Sequence, residues 1–155
     1  MNHWLMKSEP SELSFDDLKK RPKRTEAWSG VRNYQARNFM RAMAVGDLAL
    51  FYHSSCDIPG AAGVARIRRT AYPDPSAWDS ASPYHDARST PAKPLWDMVD
   101  VTWHADFSRF VTLDALRAEP ALKSMLILRR GNRLSITPVT EKEFQQVCKL
   151  GGTAL

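Results

Sequence analysis

Three short stretches of this chain combine aromatic rings with hydroxyl, amide and charged side chains. They are Trp4-Leu5-Met6-Lys7-Ser8-Glu9-Pro10, Trp28-Ser29-Gly30-Val31-Arg32-Asn33 and Phe51-Tyr52-His53-Ser54-Ser55. An aromatic face beside donors and acceptors suits a nucleobase, because the ring stacks and the polar atoms read the base edge. The same residues also fit a plainer reading, with Trp28 in the core and Ser8 and Ser54 in turns. Composition leaves both open.

Catalytic chemistry finds less support. His53, Ser54 and Cys56 lie close in sequence, but no feature supplies the orienting third group or oxyanion hole that a nucleophile needs. No GxGxxG, P-loop, HExxH or GxSxG pattern is present. Asp16-Asp17 is explained by a helix start. The histidines at 3, 53, 85 and 104 show no ligand spacing, and Cys56 and Cys148 are too few for a disulfide framework or a zinc site. A non-catalytic binding module with no cofactor and no metal is the expectation.

The net charge of +5 is local in origin. Lys19, Lys20, Arg21, Lys23 and Arg24 form one basic cluster, Arg66, Arg68 and Arg69 a second, and Arg129, Arg130 and Arg133 a third. Such an excess favours an anionic partner, nucleic acid being the commonest, although a solvated surface has the same composition. No run approaches the roughly 18 apolar residues of a membrane span. The N-terminus lacks the apolar stretch of a signal peptide. A cytoplasmic monomer with no membrane partner is therefore expected.

The elements that must position these residues follow from periodicity. At 155 residues the chain has the length of one domain. His3 to Met6 reads as a strand. Ser14 suits an N-cap, and the helix it opens should stop before Pro22. Ala36, Phe39, Met40 and Met43 fall at i, i+3, i+4 and i+7, one buried helix stripe. Leu48 to Tyr52, apolar on both alternating faces, suits a central strand. Pro59-Gly60 fits the middle of a type II turn, and a strand should resume from Gly63 to Tyr72. Residues 73–95 hold five of the ten prolines and read as an irregular surface segment anchored by Tyr72, Trp78 and Tyr84. Val99 to Trp103 and Leu134 to Ile136 complete the strands, Thr112 caps a short helix, and Thr140 with Glu143 forms a capping box. Five or six short strands with scattered helices give an α+β or mainly-β, barrel-like domain.

Several longer motifs sharpen this picture. WLMKSEP at 4–10, W-x-GVRNYQARNF at 28–39, GD at 46–47, FYHS at 51–54 and PG-x-x-G at 59–63 occur in order, followed by YPDP at 72–75 and RLS-x-x-PV at 133–139. Together they resemble the EVE domain family from Trp4 to about Val147. One departure is Ala61-Ala62, where a larger aliphatic is expected at the first position.

The resemblance implies an α+β, PUA-like fold, a mostly antiparallel β-barrel surrounded by short helices, related to YTH, ASCH and PUA domains. It implies a single domain over residues 1–150, with 151–155 as a C-terminal tail. It also implies a partner, nucleic acid (DNA or RNA) carrying a modified base, with modified cytosine prominent. On that basis Trp28 is expected as the stacking wall, with Tyr52 or Phe51 as another. Ser8, Asn33 and Ser54 would bond the base edge, with Lys7, Glu9 and His53 nearby and Arg133 and Ser135 on the rim. Arg32, Arg37, Arg66 and Arg68, with Arg69 or Arg130, would meet phosphates. An RNA- or tRNA-binding module linked to RNA modification, and a small-molecule sensor or enzyme using the same pocket, are the alternatives.

Overall fold

Strand β1 (His3–Ser8) carries apolar side chains on both faces, and this shapes the whole architecture. The computed structural model describes residues 1–155, with β1 followed by α1 (Phe15–Lys20), β2 (Thr25–Ala27), α2 (Tyr34–Ala42), β3 (Leu48–His53) and β4 (Gly60–Pro73). Then come β5 (Asp97–Thr112), α3 (Leu113–Ala118), β6 (Ile136–Val139) and α4 (Glu141–Leu150). All six strands join one sheet in the order β2-β5-β4-β3-β1-β6. Only β1 and β3 run parallel; every other ladder is antiparallel. The mostly antiparallel α+β arrangement is the one expected.

Alternation along β1 and β3 feeds two cores. Trp4, Met6, Ala49 and Phe51 face Trp28, α1 through Phe15 and Leu18, and α2 through Ala36 and Met40. Leu5, Leu50 and Tyr52 face Leu116 of α3 and Phe144 and Val147 of α4. Every apolar position of the two central strands is thus used, as a sheet covered on both sides requires.

The helix boundaries follow local chemistry. Ser14 and Asp17 form a reciprocal capping box on α1, and Thr140 and Glu143 form another on α4. The Thr112 hydroxyl caps α3. Three expectations are displaced. The last strand starts at Ile136, because the Asn132 side chain holds Leu134 in a turn; the strand instead extends through Pro138, tolerated on the sheet edge. Gly60 is not in a turn but opens β4, where a Cβ would sit 2.2 Å from the Val111 carbonyl oxygen of the neighbouring strand. Residues 151–153 are pinned to β5, with Ser108 N–H donating to Gly151 O at 2.8 Å and the Thr153 hydroxyl donating to Asp106 O.

A buried carboxylate closes the end of the sheet nearest the N-terminus. Asp47 is 3% exposed and accepts from the Trp4 indole at 3.0 Å, from Ala44 N–H at 2.9 Å and from Asn2 N–H at 3.2 Å. It joins the chain terminus, β1 and the α2–β3 turn. Removing it would leave the indole N–H buried without an acceptor. Asp47→Ala should lower unfolding free energy by about 3 kcal/mol; urea denaturation measures this, and a loss below about 1 kcal/mol would contradict the role.

Candidate nucleobase pocket

The three polar-aromatic stretches meet because β1 and β3 are parallel neighbours that end together. Ser8 lies opposite His53, and the main chain continues the ladder through Ser54 N–H donating to Ser8 O at 3.0 Å. Trp28 follows directly on β2, where its N–H donates to Val99 O at 2.7 Å. Between them lies a cavity of about 790 Å³, within the range of about 300–1,000 Å³ usual for small-ligand sites. Of the expected residues, Lys7, Ser8, Glu9, Trp28, Ser54, Arg133 and Ser135 line it.

Trp28 is 7% exposed and makes an edge-on contact with Phe51, whose ring lies 5.5 Å away. It is therefore both core and cavity wall, so the two readings open in the sequence hold together. The Ser8 hydroxyl donates to Leu13 O at 2.6 Å. With its hydrogen committed, its remaining lone pairs can only accept. Lys7 follows Leu5 to the other face by alternation, and burial holds its ammonium below the ordinary lysine range. Glu9 and Glu12 add carboxylates to the wall, while Glu26 is bound by Arg21 at 2.6 Å. Leu13 and Val31 supply apolar surface.

A second ring reaches the cavity from the proline-rich segment. Gly30 has φ of +85°, and three carbons of the Tyr84 ring would each lie 3.0 Å from a Cβ placed there. Equal distances to three ring atoms put the glycine over the ring face, so only glycine permits this approach. The Tyr84 hydroxyl donates to Glu12 at 2.8 Å, across 72 residues of sequence. Hydrogen bonding to that carboxylate and partial burial raise its pKa.

Tyr84 is held through Arg32, whose Nε–H donates to Tyr84 O at 2.8 Å, and Arg32 is held in turn by Asp74, fully buried at the start of the segment. Asp74 accepts from Gly30 N–H at 2.8 Å, from Arg32 at 3.1 Å and from the Ser76 amide and hydroxyl. Burial pushes its carboxyl upward, but the donors of Ser76, Gly30 and Arg32 outweigh that, and the net direction is down. Trp96, donating to Asp86 at 2.8 Å, fixes the other end. Neither carboxylate, nor the Tyr84 contact, was foreseen; an acid and an aromatic within an irregular segment were the available signals.

Several expected site residues lie elsewhere. Asn33 is the N-cap of α2, its side-chain oxygen accepting from Ala36 N–H at 2.9 Å, so it does not reach a base. Tyr52 points into the opposite core by alternation, 3% exposed, and burial pushes its phenol up to about 12. His53 accepts from Phe15 N–H at 3.1 Å between the rings of Phe51 and Phe110. That bond takes up its Nε2 lone pair, so it is no base for Ser54 or Cys56. Arg32 lines the cavity but is committed to Asp74, Ser76 and two backbone carbonyls. Arg37 donates to Leu95 O and Asn38. Arg66 alternates with Ile67, which packs on the Trp28 side, and so faces away. Arg68 donates to Thr25, not to the cavity. The four phosphate assignments therefore do not fit the cavity. Alternation, capping and internal ion pairing account for the corrections.

Comparison with known proteins follows the same lines. A family model described as "EVE domain" matches residues 2–150. Human thymocyte nuclear protein 1 is 45% identical over 96% of this chain and 73% of its own length. A crystal structure of a Pseudomonas putida protein is 49% identical, with a TM-score of 0.92 and coverage of 96% and 99% of the two chains. A crystal structure of the human THYN1 protein in complex with 5-methylcytosine-containing DNA is 42% identical, with a TM-score of 0.93 and full coverage of both chains. A YTH domain from Zygosaccharomyces rouxii, 16% identical with a TM-score of 0.56, shares the fold.

The half-buried imidazole beside the cavity gives the fold a pH dependence. Burial lowers the pKa of His53, with Asp16 and Asp17 opposing. Its stabilising contribution is present above the unfolded value near 6.5 and is lost as pH falls through 6.5 toward the lowered folded value. His104 shifts in the same direction. Unfolding free energy should therefore fall below pH 6.5, and His53→Gln, which keeps an acceptor for Phe15 N–H, should flatten part of that decline. An unchanged pH profile in His53→Gln would remove His53 as a cause.

Proposed function

The chain belongs to the EVE domain family, and from that membership we propose that it is a non-catalytic reader of a modified nucleobase in nucleic acid. A modified cytosine in DNA is the first candidate. The observation that carries this reading is its full-length likeness to the human protein bound to 5-methylcytosine-containing DNA. The cavity chemistry supports it. Trp28 provides a stacking wall, Leu13 and Val31 apolar contact for a methyl group, and Ser8 a fixed acceptor for an exocyclic amine. Ser54, Ser135, Glu9 and Arg133 stand as the other ligand-contacting residues.

Residues 1–150 act as one domain in this reading. The target base leaves its stack to enter, at a cost of a few kcal/mol that is least for unpaired or damaged bases. A cytoplasmic location is part of the proposal, supported by two thiols, Cys56 and Cys148, that remain free. No helix is long and apolar enough to cross a membrane.

The test is a binding panel of DNA and RNA oligonucleotides, single and double stranded, with and without 5-methylcytosine. Tryptophan fluorescence reports occupancy. A modified DNA oligonucleotide should bind more tightly than its plain counterpart. Trp28→Phe, which keeps a smaller ring in place, should weaken it about twofold or more, a fraction of the roughly 1–3 kcal/mol that removing the ring altogether costs. Equal affinity for modified and plain oligonucleotides, with Trp28→Phe unchanged, defeats the reading. Preference for modified RNA would move the partner to RNA.

A further inference from the structure

Most arginines of this protein are already engaged. Arg21 pairs with Glu26, Arg32 with Asp74, Arg41 with Asp97 and Arg88 with Asp86. Arg37 and Arg109 donate to backbone carbonyls of Leu95 and Leu150. Arg24 lies over Trp103, Arg69 over Tyr72, and Arg68 reaches Thr25. Arg66, Arg117, Arg129, Arg130 and Arg133 have neither an ion pair nor a side-chain hydrogen bond. Of these, Arg66 faces away from the cavity and Arg117 sits on α3, beside the opposite core. The remaining three share one turn, and Arg133 lines the cavity.

That turn is held rigidly. Asn132 donates from its side-chain amide to Leu126 O at 2.7 Å and accepts from Leu134 N–H at 2.9 Å. Gly131 takes the left-handed conformation at φ +80°, and Ser135 O receives Lys7 N–H at 2.8 Å, fixing the turn to the end of β1. All three guanidiniums are exposed. Elsewhere at the cavity the Arg21–Glu26 and Arg32–Asp74 pairs cancel, Glu9 and Glu12 repel anions, and the one other unpaired cation, Lys7, lies on the face of β1 shared with Leu5.

The geometry points to the 129–133 turn as the phosphate clamp of the pocket. Arg129, Arg130 and Arg133 hold the sugar–phosphate backbone flanking the inserted base. The strand therefore runs along the β6 side of the mouth and avoids the carboxylates of the β1–α1 turn. Cations already committed to internal carboxylates would have to break those pairs to bind phosphate; these three lose only water and counterions. This inference rests on the base-reader reading, and it assigns the backbone path that reading leaves open.

Salt dependence tests it with the full chain and a single-stranded DNA oligonucleotide carrying one 5-methylcytosine. The slope of log affinity against log salt should fall by about 2 in the Arg129→Ala, Arg130→Ala, Arg133→Ala triple variant, at roughly 0.7 per phosphate contact on single strands. Arg133→Ala alone should reduce it by about 0.7. Arg66→Ala with Arg117→Ala should leave it unchanged. Thermal melting checks that each variant stays folded. A triple variant with the wild-type slope, or an equal loss in the Arg66/Arg117 pair, overturns the clamp. The ratio of affinities for modified and plain oligonucleotides is read separately. Its absence in the wild type defeats the base-reader reading, and its persistence in the triple variant separates the clamp from base recognition.

Discussion

The pocket depends on one buried carboxylate. Asp74 has no exposed surface, and its two oxygens receive donors from the Trp28–Asn33 loop and from its own segment. Without it, Gly30 N–H would lose its acceptor and the Arg32 guanidinium its counter-charge, loosening the tie between that loop and the segment carrying Tyr84. Breaking one member of such a pair is costly because the partner remains desolvated. An irregular stretch rich in proline thereby becomes a fixed wall. The tie also determines what Arg32 can do, since a guanidinium held by Asp74, Ser76 and backbone oxygens is scaffold and not a free cation.

Asp47 performs a matching task for the start of β3, joining the N-terminus, Trp4 and the α2–β3 turn. β1 and β3 are apolar on both faces and buried through their middles, with partly exposed residues at the ends that meet the pocket. The parallel pairing brings the ends of both strands to the same place. Ser8 and Ser54 are neighbours for that reason alone, and the pocket opens where the enclosed strands stop. The larger aliphatic expected at position 61 is an alanine, fully buried between Tyr52 and Val111 in the ladder. It therefore alters the core on the face away from the cavity and leaves the pocket wall untouched.

Local rules made much of this legible. The caps at Ser14, Thr112 and Thr140, the stripe through Ala36 and Met40, and the motifs around Trp28 were all visible in sequence. Asn33 shows where local chemistry should have ruled, since an asparagine three residues before Ala36 at a helix start is best used as a cap. Tyr52 shows the reverse. Alternation demands that Phe51 and Tyr52 diverge, but with both faces of β3 apolar no polar residue marks the phase. Only pairing with β1 and β4 decides it. The Tyr84–Glu12 and Asp74–Gly30 contacts span 72 and 44 residues and leave no periodic trace.

The distinction between committed and uncommitted groups gives the pocket its chemical polarity. A freely rotating serine hydroxyl can donate or accept and so discriminates poorly between an amino and a keto group. In Ser8 the hydrogen is held by Leu13 O, leaving an acceptor of fixed character. An amino group placed there completes a hydrogen bond. A keto oxygen would set two acceptors face to face, leaving a buried group unmatched at about 1–3 kcal/mol. Selectivity for amino-bearing bases can thus originate in the turn after β1, where the Leu13 carbonyl oxygen determines what Ser8 can accept.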